Sequence, residues 1–270
     1  MKNNAFILLF LLLLTSCDEK ENNAVQKIQT YPMTVGSEWV YDRQMIISQY
    51  LSEKSDSIIG MDSFKFIDKV WIEKDTIFNN RIKTSVFKFR QSGISGSTTS
   101  SMYKYMDYEG LKIYAYSSEG AYNISAKKSG NSMLSRQLIH KRQMNNRLST
   151  KKGLIIENKP VLEFILPLYE KSAWTSTFPS EVSKLQVDKK VTGSENLKLM
   201  GQNFACFKVS WYYLNVPALN GIKMTEWISK EGLMKRLTAY GRENQTNERG
   251  EPTGWFETTE TLTIKELTLK

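Results

Sequence analysis

The sequence predicts an all-β domain, a strongly curved antiparallel sheet or partly open barrel, with one short helix or loop excursion around 130–150. Three observations predict it. Tyr, Phe and Trp make up 11% of the chain, and aromatic and β-branched residues suit a pleated, half-buried surface. Apolar runs of strand length recur along the chain and are separated by short turn signals. Several of those runs alternate apolar and polar residues with period two, as a strand with one buried face requires.

The elements follow in order. Phe64 to Phe78 and Arg81 to Phe89 flank Asn79-Asn80, a tight hairpin because Asn tolerates positive φ. Met102 to Tyr108 and Leu111 to Tyr116 flank Glu109-Gly110. Ala205, Phe207, Val209 and Trp211 form an almost wholly apolar face opposite Phe204, Cys206, Lys208 and Ser210, and Tyr212 to Val216 extend that strand. Trp227-Ile228 and Leu233 to Tyr240 flank Ser229-Lys230-Glu231-Gly232, a third hairpin. Thr258 to Leu269 closes the chain as a strand. Its Leu262 and Ile264 are spaced by two, and Leu267 and Leu269 repeat the spacing after the phase shift that a bulge produces.

The N-terminus carries an address. Lys2 precedes the apolar run Ala5 to Leu14, the layout of a secretory signal. A membrane-spanning helix needs about 20 apolar residues, so the run is too short for a permanent span. It ends in Leu14-Thr15-Ser16-Cys17, which resembles the lipobox of bacterial lipoproteins. The resemblance implies cleavage before Cys17, lipid on the Cys17 sulfur and acylation of the new amine. Residues 1–16 are then a signal peptide, 17–30 a lipidated cysteine with a polar tether, and 31–270 a single β-rich domain. The expected location is the cell envelope, with the outer membrane favoured and its face left open. Asp18, Glu19 and Glu21 resemble the export signal of surface lipoproteins in the Bacteroidota; a solvated acidic tether fits the same residues.

Two short echoes occur inside the domain. Pro32, Ser37 and Trp39 share their spacing with Pro167, Ser172 and Trp174, and Glu109-Gly110-Leu111 recurs as Glu231-Gly232-Leu233. Duplicated halves, 31–120 and 160–270, would produce them, and so would chance recurrence of turn signals. Pro32 through Tyr41, Gly201 through Trp211, Glu226-Trp227 and Glu231 through Lys235 resemble the TapB-like proteins, a group of β-rich Bacteroidota envelope lipoproteins. Met234 stands where that pattern favours Val. The resemblance implies a curved antiparallel sheet and brings no catalytic set with it.

Candidate chemistry is sparse. There are two cysteines; with Cys17 lipidated, Cys206 has no intramolecular disulfide partner. Cys206 and His140 are the sole conceivable thiol–imidazole pair. Cys206 lies mid-strand among aromatics, the setting of a small structural hydrophobe, and Lys141 and Arg142 beside His140 oppose its protonation. One histidine excludes a multi-histidine metal site within one chain. The chain has no nucleophile elbow, phosphate loop or zincin motif. No catalytic residue, metal or cofactor is expected, and the protein reads as a non-enzyme. The tryptophans Trp39, Trp71, Trp174, Trp211 and Trp227 sit in apolar runs and fit core or sheet packing, whereas Trp255, after Pro252-Thr253-Gly254, is the best candidate for an exposed aromatic. Asp56-Ser57-Ile58 and Asp75-Thr76-Ile77 resemble the O-glycosylation acceptor of Bacteroidota envelope proteins, with Ser57 and Thr76 as acceptors.

Charge is unevenly distributed. The chain carries +9. Loss of the signal removes Lys2. Between Gly120 and Ile156 lie Lys127, Lys128, Arg136, Lys141, Arg142, Arg147, Lys151 and Lys152, with no Asp or Glu. These eight account for the whole excess; the rest of the mature chain is balanced. Met133, Leu134, Leu138, Ile139, Met144 and Leu148 in the same segment are spaced roughly as one helical stripe. Such a field attracts anions: anionic lipid, lipopolysaccharide or acidic polysaccharide, with nucleic acid excluded by the location. A solvated loop without a partner fits the same charges. The reading is therefore an envelope-anchored lipoprotein with a non-catalytic binding or structural role. A carrier of a lipid or other apolar molecule, or a carbohydrate-binding or carbohydrate-active accessory protein, are the alternatives. Cys17→Ser is expected to leave the precursor uncleaved and unlabelled by radioactive palmitate; label at the wild-type level would refute the anchor.

Overall fold

The computed structural model describes residues 27–78, 82–93, 96–118, 153–178, 185–214, 219, 221–246 and 252–270. Cys17, the excursion around 130–150, His140 and the eight basic residues lie outside the described residues. No helix among the described residues is long and apolar enough to cross a membrane.

Among the described residues twelve strands form one antiparallel sheet. The first six are β1 (Glu38–Tyr50), β2 (Ile58–Phe78), β3 (Ile82–Gly93), β4 (Gly96–Met106), β5 (Gly110–Ser118) and β6 (Gly153–Ile165). The second six are β7 (Ala173–Phe178), β8 (Leu185–Leu199), β9 (Gln202–Leu214), β10 (Lys223–Ser229), β11 (Gly232–Thr246) and β12 (Pro252–Thr268). The order across the sheet is β6-β5-β4-β3-β2-β1-β12-β11-β10-β9-β8-β7. Two six-stranded meanders are thus joined where the first strand pairs with the last. The three hairpins read from turn signals are present: β2 and β3 pair out to Phe78 and Ile82, β4 and β5 to Met106 and Leu111, β10 and β11 to Ser229 and Gly232.

Period-two patterning sets the inner face. On β1, Trp39, Tyr41, Arg43, Met45 and Ile47 are each at most 3% exposed, while Asp42 and Gln44 between them are exposed. Register shifts occur at Val40/Tyr41, Trp227/Ile228, Tyr103/Lys104 and Val191/Gly193. Each adds local twist, and together with the right-handed twist of the strands this coils the sheet. The shift opposite Val40/Tyr41 passes over Lys265, since Val40 faces Glu266 and Tyr41 faces Ile264. It is the phase change between Ile264 and Leu267.

The sheet coils until its edge strands touch without forming a ladder. Side chains bridge the seam instead. Trp174 Nε1 of β7 donates to Glu163 O of β6 at 3.1 Å, Ser176 Oγ to Leu162 O at 2.5 Å, and Lys189 Nζ of β8 to Glu163 O at 2.8 Å. Exposed edges invite pairing with other chains; here bulky side chains occupy the gap.

The echoed residues hold matching posts. Ser37 O accepts from Ile72 N of β2 at 2.9 Å just before β1, and Ser172 O from Val191 N of β8 at 2.8 Å just before β7. Gly110 opens β5 and Gly232 opens β11, with φ of 144° and 112°. A Cβ on Gly110 would lie 2.2 Å from Phe164 O, so a side chain there would push β6 away from β5.

Two strand readings are corrected. On β9 the burial does not follow the Ala205 face: Ala205 is exposed, while Phe204, Cys206, Phe207 and Val209 are all buried. Phe204 and Cys206 pack with Leu197, Trp227 and Met234, so both faces of β9 are covered here. Trp255 is not in a polar loop. β12 begins at Pro252, and Trp255 is half-buried opposite Tyr50 and Asn244.

Candidate functional site

The coiled sheet leaves space at its centre, and the approach to β1 closes one end of it. Ile28 and Leu168 exchange two main-chain hydrogen bonds of 2.8 Å. Three residues on, Tyr31 stacks on Trp39 at 6.4 Å between centroids and tilts against Phe164 at 5.0 Å. Trp39 in turn stacks on Phe87 at 6.4 Å. Gly232 makes this contact feasible: a Cβ there would sit 3.0 Å from Trp39 Nε1, which donates to Glu231 O at 2.8 Å.

Above this floor lies a cavity of about 330 Å³. Trp39, Phe87, Phe89, Met102, Ile113, Val161 and Phe164 supply apolar wall; Lys104, Glu163, Glu226 and Arg236 supply charge. The volume is at the lower end of the roughly 300–1,000 Å³ typical of small-molecule sites. The cavity extends along β4 and β5 to Thr98, Tyr116 and Ser117, beside the paired residues Ser118 and Gly153. Ile28, bridged to Leu168, lies beyond the other end of the β5–β6 ladder, where Gly110 pairs with Ile165.

The charges are arranged in pairs. Lys104, 3% exposed, holds Glu163 through both carboxylate oxygens, at 2.8 and 2.7 Å, and lies over the Phe87 ring at 4.8 Å. Arg236 grips Glu226 Oε1 with Nε at 2.8 Å and Nη2 at 2.5 Å, and Trp211 Nε1 donates to Oε2 at 2.9 Å. Arg43 lies between β2 and β12. Its Nε meets Asp68 Oδ2 at 2.6 Å, its Nη1 meets Glu260 Oε2 at 3.2 Å, its Nη2 donates to Ser92 O, and its guanidinium covers Phe66 at 4.5 Å. Burial raises the Asp68 and Glu260 carboxyls, and Arg43 opposes this.

Lys189 differs. It is 2% exposed, its ammonium donates to Glu163 O and sits 3.8 Å from the Trp211 ring centre. Among the described residues no carboxylate comes within ion-pair distance of it. Burial lowers its pKa to about 8, against the pull of Glu226 and Glu163. The same burial holds the Tyr31 and Tyr41 phenols above their usual range.

The residues singled out from sequence are spread over the molecule. Cys206 is fully buried and free. Its Sγ contacts Phe204 O at 3.4 Å, and burial pushes its thiol up to about 12, with Glu231 and Glu195 adding to the effect; that is the opposite of an activated nucleophile. Trp39 and Trp227 are buried, and Trp71, Trp174, Trp211 and Trp255 are half-buried. Ser57 is exposed between β1 and β2, whereas Thr76 is half-buried within β2. Among the described residues no cluster of three or more His, Cys, Asp or Glu could hold a metal. The interior charges were not singled out, although each interrupts an apolar inward series: Arg43 between Tyr41 and Met45, Lys189 between Val187 and Val191.

No family model and no curated protein matches the sequence. The chain is similar to a solved structure from Bacteroides fragilis described as an exported protein with a YmcC-like fold. Identity is 9% and the TM-score 0.31, over 89% of this chain and 99% of that one. A likeness this loose assigns neither site nor activity.

Proposed function

We propose that this protein is an envelope lipoprotein, anchored through Cys17, that holds a small organic molecule in the cavity of its sheet without transforming it. The cavity carries the reading: a space of about 330 Å³ with aromatic walls and a few oriented polar groups has the composition of a small-molecule site. The signal, lipobox and TapB-like resemblance support the location. A lipid carrier is disfavoured by the walls, because ion pairs line a space that an acyl chain would need dry and apolar. Tryptophol, a neutral indole alcohol, is a suitable probe. It is expected to bind one-to-one by calorimetry, and Met102→Trp, which fills the space from β4, is expected to abolish binding while the circular dichroism stays unchanged. Binding that survives Met102→Trp would refute the cavity as the site.

A second reading concerns the basic segment. Eight cations without one carboxylate support contact with an anionic envelope surface, each exposed Lys or Arg near such a membrane being worth about 1 kcal/mol. The chain begun at Ala24 is expected to float with anionic but not neutral vesicles, less so in high salt. Lys141→Glu, Arg142→Glu, Lys151→Glu and Lys152→Glu together are expected to end flotation; unchanged flotation would refute the contact.

A further inference from the structure

Of the charged residues that line the cavity, Asp68 is held by Arg43, Lys69 is held by Glu38 and Arg90 is exposed. The other two cations of the lining, Lys104 and Arg236, and the buried Lys189 beside them meet two carboxylates. Lys104 is matched by Glu163 and Arg236 by Glu226; Lys189 has neither partner, and its ammonium spends one donor on Glu163 O. A buried ammonium can donate three hydrogen bonds, and a buried charge without a counter-ion is costly.

Arg236 shows where a counter-ion would be received. Its Nε and Nη2 are engaged by Glu226, yet 37% of its side-chain surface is bare. The residue lies among Tyr41, Tyr213 and Glu226, with Glu260 also in its field, and it is part of the cavity lining. Among the described residues no acceptor meets its Nη1. A planar guanidinium with a free edge suits a carboxylate.

We infer that the cavity binds a small monoanionic carboxylate with a flat apolar body, its acid group on the free edge of Arg236 and its body against Trp39, Phe87 and Phe164. The inference rests on the cavity being a binding site. Among the buried charges the surplus is a single unit, which one carboxylate neutralises and a dianionic phosphate would overshoot. Lys189 acts through the field: it lies behind Glu163 and Trp211 and need not touch the ligand.

Indoleacetate, tryptophol and tryptamine carry the same ring with an anionic, neutral or cationic end. Calorimetry on the full mature protein is expected to give indoleacetate at least about tenfold tighter than tryptophol, and tryptamine weakest. Lys189→Met removes the surplus without orphaning a carboxylate, and is expected to erase the preference for indoleacetate while leaving tryptophol unchanged. Equal affinity for all three, or tryptamine tightest, overturns the anion inference and leaves the cavity reading standing. Failure of all three to bind overturns both. A preference for indoleacetate that survives Lys189→Met but is lost in Arg236→Lys supports the guanidinium contact and overturns the part given to Lys189.

Discussion

The pairing of β1 with β12 carries the rest of the sheet. Thirteen residue pairs run from Glu38 and Thr268 to Tyr50 and Trp255, joining positions more than two hundred apart in sequence. The remaining ladders each join strands adjacent in the chain. Without this one the molecule would be two six-stranded meanders, each with its inner face bare. Strand β1 also fastens its own inner side chains to the second half. Trp39 donates to Glu231 O, Tyr41 to Leu233 O at 3.1 Å, and Arg43 to Glu260. Closing so long a loop costs entropy that grows slowly with length, and the buried aromatic side chains gathered on β1 offset it.

Arg43 makes that junction sensitive. Removing one partner of a buried ion pair costs about 3–5 kcal/mol, because the other charge is left without compensation. Arg43 holds two carboxylates, one on each neighbouring strand. The same logic applies around the cavity, where Lys104–Glu163 crosses from β4 to β6 and Arg236–Glu226 from β11 to β10. These pairs fix register, since a slip of one residue would turn each charge to the outer face. They also prevent the centre from collapsing into an apolar core, and so keep the cavity open. The seam between β6 and β7 is bridged by Trp174 and Ser176, and Lys189 adds a further bond to the Glu163 O that Trp174 already meets.

Much of the fold was legible because strands and tight turns write local signals. The pairing of β2 with β3, the Glu-Gly hairpins and the phase shift of β12 each depend on neighbours in the chain, while Asn79-Asn80 themselves lie outside the described residues. The proline–serine–tryptophan echo marks the starts of β1 and β7, whose serines do the same main-chain work. Trp255 and the covered second face of β9 were misread because burial there involves strands distant in sequence: Tyr50 opposite Trp255, and Trp39, Ile72 and Phe87 in the cluster that holds Phe204 and Cys206. The site was not legible for the same reason. A lone Arg43 or Lys189 in an apolar strand announces an inward charge, but its partners, Asp68 and Glu260 or the Trp211 ring, become neighbours only when the sheet coils. Carboxylates such as Glu163 and Glu226 look like any other polar strand residue until that happens.

Native-state hydrogen exchange with residue resolution tests the central claim most directly. If the β1–β12 ladder joins the halves, its amides should exchange only through global unfolding, and those of the edge strands β6 and β7 through smaller openings. Exchange of β1 and β12 at a lower opening free energy than β3 and β4, with those strands still protected, would mean that the halves stand without the ladder and would contradict the account.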